Sequence, residues 1–156
     1  MLNKFSLTTV VLLCIFLGLL LTIYSYLNND EQMIKKQEST LNPGQIVKLY
    51  MNRFIHYFIL IIMIIYPFLV KYTLTYDIFY IVFGLFGIIH RCILSECALS
   101  IMEKRILDPY YKIGSNISYE PYQQLVGFYY REYTIYFSSI LFIFVSFRVL
   151  RRFINI

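Results

Sequence analysis

The chain has 156 residues, and its 14 lysines and arginines against 9 acidic residues give a formal net charge of +5. Hydrophobic residues make up 59% of the chain and charged residues only 15%, whereas soluble domains carry about 25% charged residues. A soluble fold of this size cannot hide so much apolar surface, so the composition predicts an all-α integral membrane protein. The basic residues flank apolar segments, as membrane anchors do, and therefore do not indicate a nucleic-acid partner.

Four apolar runs predict a single membrane domain, residues 1–156, folded as a bundle of four transmembrane helices. A helix needs about 20 apolar residues to cross the hydrocarbon core of a bilayer. The first run is longer than the apolar part of a signal peptide and has no small-residue cleavage site after it, which favours an uncleaved span. The predicted spans are 5–27, 54–70, 78–97 and 132–150, and the predicted loops are 28–53, 71–77 and 105–131.

Turn and breaker residues place the ends of these helices. A turn signal at residues 42–44 predicts that a helix restarts near Gln45 and enters the membrane as the second span. Pro67 should kink that span without breaking it. The link to the third span is short, so the second and third spans should form an antiparallel hairpin. Gly84 and Gly87 offer a small face to another helix.

A polar stretch follows the third apolar run with no breaker between them. The third helix is therefore predicted to extend beyond the bilayer and to end at Asp108, because the residue before Pro109 is pushed out of the helical region. On a helical wheel of about 100° per residue, most of its polar groups fall on one side. This predicted polar seam comprises Cys92, Glu96, Cys97, Ser100, Glu103 and Lys104. We interpret the seam as polar groups that find partners inside the bundle or face water, and alternatively as a pocket for a ligand, metal or cofactor.

The two histidines are expected at one face of the membrane. His56 lies about fifteen residues from Lys71, and His90 about thirteen from Asp77, so a rise of about 1.5 Å per residue places them at similar depth. Such a pair could ligate a haem or a metal, although no Cys-x-x-Cys or His-x-x-x-His spacing supports a metal site. The histidines are interpreted as interfacial hydrogen-bonding groups, with no cofactor expected and a haem or metal as the alternative.

No recognisable set of catalytic residues emerges from the chain. There is no Gly-rich phosphate loop, and three cysteines provide no disulfide framework. The sequence therefore favours a structural or interaction role in a membrane over an enzyme, with the lipid bilayer and either a protein partner or a second copy of the chain as partners. The alternatives are a small membrane enzyme or electron carrier that uses His56, His90 and the seam from Cys97 to Glu103, and a transporter component, which the lack of charge in mid-span disfavours.

The distribution of basic residues predicts the orientation of the chain. Four spans place both termini on one side, and basic residues close to span ends favour the cytoplasm for that side. These residues are Lys4, Lys71, Arg148, Arg151 and Arg152. Asn116 begins the sequon Asn-Ile-Ser and is a glycosylation candidate, because this topology places its loop in the lumen.

Residues 96–104 resemble two groups of small multi-pass membrane proteins. One is a bacterial family of unknown function with the pattern Cys-Pro-Leu-Thr-x-x-Glu after an apolar helix, and here alanine replaces proline and serine replaces threonine. The segment is also similar to short membrane proteins of large DNA viruses, which carry Glu-Cys-x-Leu-Ser-x-x-Glu-Lys followed by Asp-Pro-x-Tyr. The matching positions are Glu96, Cys97, Leu99, Ser100, Glu103, Lys104, Asp108, Pro109 and Tyr111. The resemblance is confined to residues 90–114 and implies a multi-pass protein of a host or viral membrane, with no particular activity.

Overall fold

The computed structural model describes residues 5–27, 40–70, 73–115 and 130–154. Within these ranges the chain forms five helices and no named strand: α1 Leu7–Leu27, α2 Pro43–Leu69, α3 Leu74–Leu94, α4 Ala98–Leu107 and α5 Tyr130–Ile154. Three of them, α1, α2 and α3, are long and apolar enough to cross a membrane. The predicted all-helical fold is confirmed, and these three helices support a location in a membrane.

The start of α2 is determined by a local cap. The Asn42 side-chain oxygen accepts a hydrogen bond from the Gln45 N–H at 2.9 Å, and the Gln45 side chain accepts one from the Asn42 N–H at 3.0 Å. This reciprocal pair is a capping box, and Pro43 at the first helical position needs no N–H partner. The predicted restart near Gln45 is confirmed, and residues 43–53 of the predicted loop are helical.

The second and third helices run antiparallel, as predicted. The Tyr66 hydroxyl donates to the Asp77 carboxylate at 2.7 Å, and the Tyr80 hydroxyl donates to the Met63 carbonyl at 2.8 Å. The contacting residue numbers therefore fall along α2 as they rise along α3, which is the pattern of two antiparallel helices. The link between the helices is shorter than predicted, because α3 begins at Leu74 after the Thr73 cap and takes residues 74–77 from the predicted loop.

Pro67 lies inside α2 without ending it, because another helix replaces the hydrogen bond that proline removes. A proline has no N–H, so the Met63 carbonyl four residues earlier loses its donor within the helix. The Tyr80 hydroxyl of α3 supplies the missing donor. Such replacement matters in a bilayer, because hydrocarbon contains no water to satisfy a free carbonyl.

The last carbonyls of α2 are also satisfied from other parts of the chain. The Pro67 carbonyl accepts from the Arg148 guanidinium of α5 at 3.0 Å, and the Leu69 carbonyl accepts from the Phe5 N–H at 3.0 Å. Four C-terminal carbonyls of any α-helix lack intrahelical partners, so these bonds fix the end of α2 to two other segments.

Apolar packing completes the bundle. α1 packs along α2, α5 packs on α3 and α2, and α4 packs on α2. Gly18 of α1 allows the close approach to α2, since a Cβ atom there would stand 3.3 Å from the Phe54 ring. Gly84 similarly meets the end of the Met63 side chain, as predicted, whereas Gly87 has nothing within 4 Å among the described residues and takes no part in such a face. The buried core joins Val10, Cys14, Tyr57, Ile61, Tyr66, Val70, Tyr80 and Val145.

The prediction of one continuous third helix as far as Asp108 is wrong. α3 ends at Leu94, Ser95 takes a left-handed conformation with φ of 61°, and α4 begins at Ala98. The predicted third span, 78–97, therefore includes three residues that are not helical. No glycine or proline marks this break, and its cause lies in the contacts of the next residue, Glu96, described below. The end of the helical stretch before Asp108 is confirmed, since α4 ends at Leu107.

Candidate functional site

Two buried polar contacts hold α4 against the first half of α2. The Asn52 amide donates to the Leu99 carbonyl at 2.8 Å, and the Arg53 Nε donates to the Glu103 carboxylate at 2.6 Å. The Arg53 side chain is 1% exposed and that of Glu103 is fully buried. A buried charge pair of this kind makes a small net contribution, but removing one partner alone costs about 3–5 kcal/mol. The pair therefore fixes the register of α4 on α2.

A second cluster surrounds the Glu96 carboxylate in the link between α3 and α4. One oxygen accepts from the Tyr111 hydroxyl and from the Gly114 N–H, the latter at 2.9 Å. The other oxygen accepts from the Lys104 ammonium at 3.0 Å, and this ammonium also lies 5.3 Å from the centre of the Tyr111 ring. We call these four residues the Glu96 cluster. It ties both ends of α4 and the turn after it to one buried carboxylate.

The Glu96 cluster explains the break after α3. If α3 and α4 formed one continuous helix, Lys104 would lie about two turns from Glu96 along the helix axis, too far for a hydrogen bond. The donors that Glu96 does bind lie 8 to 18 residues later in the chain. A left-handed serine costs on the order of 1 kcal/mol, which is less than the cost of leaving a buried carboxylate without donors. The chain therefore turns at Ser95, and the charge-assisted hydrogen bonds offset the backbone strain.

The environment of Glu96 keeps its carboxyl group ionised. Burial raises the pKa of Glu96, but hydrogen bonds from Tyr111, Lys104 and the Gly114 N–H favour the charged form. The net effect is a pKa of Glu96 below its usual value. At neutral pH the Glu96 side chain is therefore a carboxylate, which forms the ion pair with Lys104.

The structure divides the predicted polar seam. Ser100, Glu103 and Lys104 are buried on one face of α4, because residues three and four apart share a helix face, and the buried Glu96 in the preceding link bonds Lys104. Cys92 is exposed on α3, and Cys97 is half-buried at the start of α4, where its side chain makes no capping hydrogen bond. The prediction of one continuous seam on one helix is therefore wrong, although four of its six members do converge.

The predicted histidine pair occupies two different environments. His56 is buried in α2, one turn after Arg53. His90 is partly exposed near the end of α3, where its ring lies 6.0 Å from that of Phe86. In the part of the chain that the structure describes, no group of three or more histidine, cysteine, aspartate and glutamate side chains is placed to hold a metal. Ligation of a haem or metal by His56 and His90 stays a prediction.

Sequence reasoning missed the ion pair at the opposite end of the bundle. The Arg148 guanidinium of α5 binds the fully buried Asp77 carboxylate of α3 through both Nε and Nη2, with a distance of 3.0 Å from Nε to Oδ2. The Tyr66 hydroxyl donates to the same carboxylate. Two features of the sequence point to this pair: Asp77 and Arg148 carry opposite charges beside apolar runs, and alternating spans place both at one membrane face.

The remaining sequence predictions for the site concern Asn116 and the resemblance of residues 96–104. Asn116 lies outside the described residues, so its glycosylation stays a prediction. The resemblance of residues 96–104 to small bacterial and viral membrane proteins also stays a prediction. Comparisons of the chain with protein-family models, curated proteins and solved structures find no match.

Proposed function

We propose that this chain is a multi-pass integral membrane protein with four spans, α1, α2, α3 and α5, and with a structural or interaction role in its membrane. The observation that carries this proposal is the distribution of polarity. Large apolar side chains cover the outer surface, whereas six charged side chains form ion pairs inside: Arg53 with Glu103, Lys104 with Glu96, and Arg148 with Asp77. Soluble proteins rarely bury charges and rarely expose large continuous apolar surfaces.

The outer surface is apolar on every long helix. Its exposed side chains include Leu12, Phe16 and Ile23 of α1, Phe79, Val82 and Phe86 of α3, and Ile140, Ile143 and Phe147 of α5. Hydrocarbon solvates such side chains without cost, and the helical backbone bonds itself internally, as a bilayer requires. The same surface in water would favour aggregation.

The length and charge of α5 support a fourth span. Its 25 residues extend about 37 Å at about 1.5 Å per residue, which exceeds the hydrocarbon core of roughly 30 Å. Residues 133–150 contain a single charged residue, Arg148. Its ion pair with Asp77 reduces the cost of placing that charge near hydrocarbon.

The packing of α1 supports an uncleaved first span. Val10, Cys14 and Gly18 are buried residues of α1, and the Phe5 N–H bonds the end of α2. Removing α1 would expose the core residues of α2 against which it packs, such as Tyr57 and Ile61. We propose that both termini face the cytoplasm.

The internal pairing of the polar groups supports a structural role for the seam. Arg53 pairs with Glu103, and Lys104 pairs with Glu96, so their charges serve contacts within the chain. The proposed partner is the lipid bilayer together with either another protein or a second copy of the chain. The alternative hypothesis is a small membrane enzyme or electron carrier.

Terminal tags test the number of spans. Protease is added to sealed membrane vesicles that contain full-length protein with a different epitope at each end. Four spans predict that both tags are cleaved together or protected together, and alkaline carbonate should not extract the chain. Tags on opposite sides would contradict four spans. Glycosylation of Asn116 in a eukaryotic membrane system would support cytoplasmic termini, and efficient glycosylation of a sequon added at the N-terminus would overturn that orientation.

Two variants that replace a carboxylate by a carboxamide, one buried and one exposed, test the role of the seam. Glu103→Gln is compared with Asp108→Asn, because Glu103 is buried and Asp108 is exposed. A structural seam predicts that Glu103→Gln lowers the yield of folded protein in detergent, whereas Asp108→Asn leaves the yield unchanged. An absorption spectrum of the purified wild-type protein addresses the alternative. A Soret band that disappears in His56→Ala or His90→Ala would overturn the structural role in favour of electron transfer.

A further inference from the structure

α4 turns most of its polar side chains inwards and most of its apolar side chains outwards, with Ile101 buried and Arg105 exposed as the exceptions. The side chains of Ser100, Glu103 and Lys104 point into the protein, where Glu103 meets Arg53 of α2. The opposite side, which we call the outer face of α4, consists of Ala98, Leu99, Met102 and Ile106. Met102 is 54% exposed and the other three are partly exposed.

A surface helix in water turns its polar side outwards and its apolar side inwards. α4 does the opposite, which is the arrangement expected where the outer solvent is apolar. Its ten residues extend about 15 Å at about 1.5 Å per residue, which is too short to cross a bilayer. Segments of this length in membrane proteins are buried, interfacial or re-entrant, and the exposure of Met102 argues against full burial.

Charge on the outside of α4 is confined to one residue. Glu103 and Lys104 are paired internally, so Arg105 is the only charged residue of α4 that is exposed. Arginine side chains at a membrane boundary extend their charged ends to the headgroups while their stems lie along apolar surface. Arg105 therefore suits the boundary between acyl chains and phosphate groups.

The helix end that precedes α4 along the chain is also apolar on its outside. Ile89 and Ile93 are exposed at the end of α3, immediately before the link to α4. The outer face of α4 thus follows, after a three-residue link, a helix surface that the proposed function places in lipid.

We propose that α4 is an interfacial helix whose outer face contacts lipid acyl chains, with Arg105 at the phosphate headgroups. This inference rests on the proposed insertion of α2 and α3 in a bilayer. Lipid is the occupant, because the proposed function places lipid on the exposed apolar surface of α3 that leads into α4. Residues 98–107 are therefore part of the membrane domain and not of a water-exposed extension.

Spin labels on single cysteines test this position in lipid vesicles. The full chain carries Cys14→Ala, Cys92→Ser and Cys97→Ser, and one cysteine is introduced by Met102→Cys. Phe79→Cys on α3 is the reference for lipid, and Lys112→Cys, which is exposed beyond α4, is the reference for water. Collision with oxygen reports acyl chains, and collision with a nickel chelate reports water. Each variant is used only if its gel-filtration profile and its circular dichroism spectrum are identical to those of the wild-type protein.

The inference predicts that the oxygen-to-nickel ratio at Met102→Cys is several-fold above that at Lys112→Cys and approaches that at Phe79→Cys. A ratio equal to the water reference would overturn the inference. Protection from both reagents would also overturn it, because a second copy or another segment would then cover α4. If the label at Phe79→Cys itself collided with the nickel chelate, the proposed membrane insertion would fail instead.

Discussion

Replacing Tyr80 by phenylalanine tests whether α3 supplies the hydrogen bond that Pro67 removes from α2. The Tyr80 hydroxyl donates to the Met63 carbonyl at 2.8 Å, and its ring stacks on that of Tyr66 with centroids 5.0 Å apart. Tyr80→Phe keeps the ring and removes only the hydroxyl. The Met63 carbonyl then has no donor from proline and no water in hydrocarbon. Tyr80→Phe should therefore lower the free energy of unfolding by about 1–2 kcal/mol, which is the range expected for an interhelical hydrogen bond in a membrane together with the cost of an unsatisfied carbonyl.

A second substitution separates this account from a general loss of packing. Pro67→Ala restores an N–H that can donate to the Met63 carbonyl within α2. In that background Tyr80→Phe should cost less than about 0.5 kcal/mol, so the two substitutions should couple by about 1 kcal/mol. Tyr76→Phe, on the exposed side of α3, is the control and should leave the free energy of unfolding unchanged.

The assay is equilibrium unfolding in mixed micelles with an increasing mole fraction of a denaturing detergent, followed by circular dichroism. All four members of the cycle are measured under one condition, so that errors of extrapolation cancel. An equal cost of Tyr80→Phe in the wild-type chain and in the chain that carries Pro67→Ala would refute the reasoning. It would show that the hydroxyl does not act through the carbonyl that proline leaves free.

Three further predictions concern the ion pairs and the helix contacts. Arg148→Leu should destabilise the fold by about 3–5 kcal/mol, because it leaves a buried carboxylate unpaired, whereas Arg151→Leu on the exposed end of α5 should have no effect on thermal unfolding. The pKa of Glu96 is lower in the folded than in the unfolded chain. Glu96 therefore stabilises the fold at pH values above its pKa in the unfolded chain, and this stabilisation is lost as the pH falls through its pKa in the folded chain. Glu96→Gln should therefore reduce the loss of stability on acidification, and an unchanged pH profile would contradict this linkage. Gly18→Leu should lower the free energy of unfolding by about 1–3 kcal/mol, because the new side chain would collide with α2. Gly87→Leu is the control and should be tolerated, since nothing among the described residues lies within 4 Å of a Cβ atom there. Equal melting temperatures for the two variants would show that Gly18 is not needed for the close approach of α1 and α2.

The sequence alone was sufficient for the features that depend on local patterns. Runs of apolar residues long enough to cross hydrocarbon identified α1, α2, α3 and α5 but not α4, because hydropathy and length act residue by residue along the chain. The helix start beside Gln45 and the stop before Pro109 were also local, since caps and prolines act on the backbone within one turn. The survival of the helix through Pro67 was predicted as well, although its cause in Tyr80 was not.

The tertiary structure decided which polar groups meet. Glu96 binds donors that lie 8 to 18 residues further along the chain. These contacts require a turn at Ser95, and no glycine or proline there allows the turn to be predicted from the sequence. Arg148 meets Asp77 across 71 residues of chain, and Arg53 meets Glu103 across 50. The sequence indicated that the polar seam, which includes Glu96 and Glu103, would find partners inside the bundle, but it did not show which ones. The choice follows from how the helices pack, because a buried charge is stable only where packing brings donors or an opposite charge within hydrogen-bonding distance.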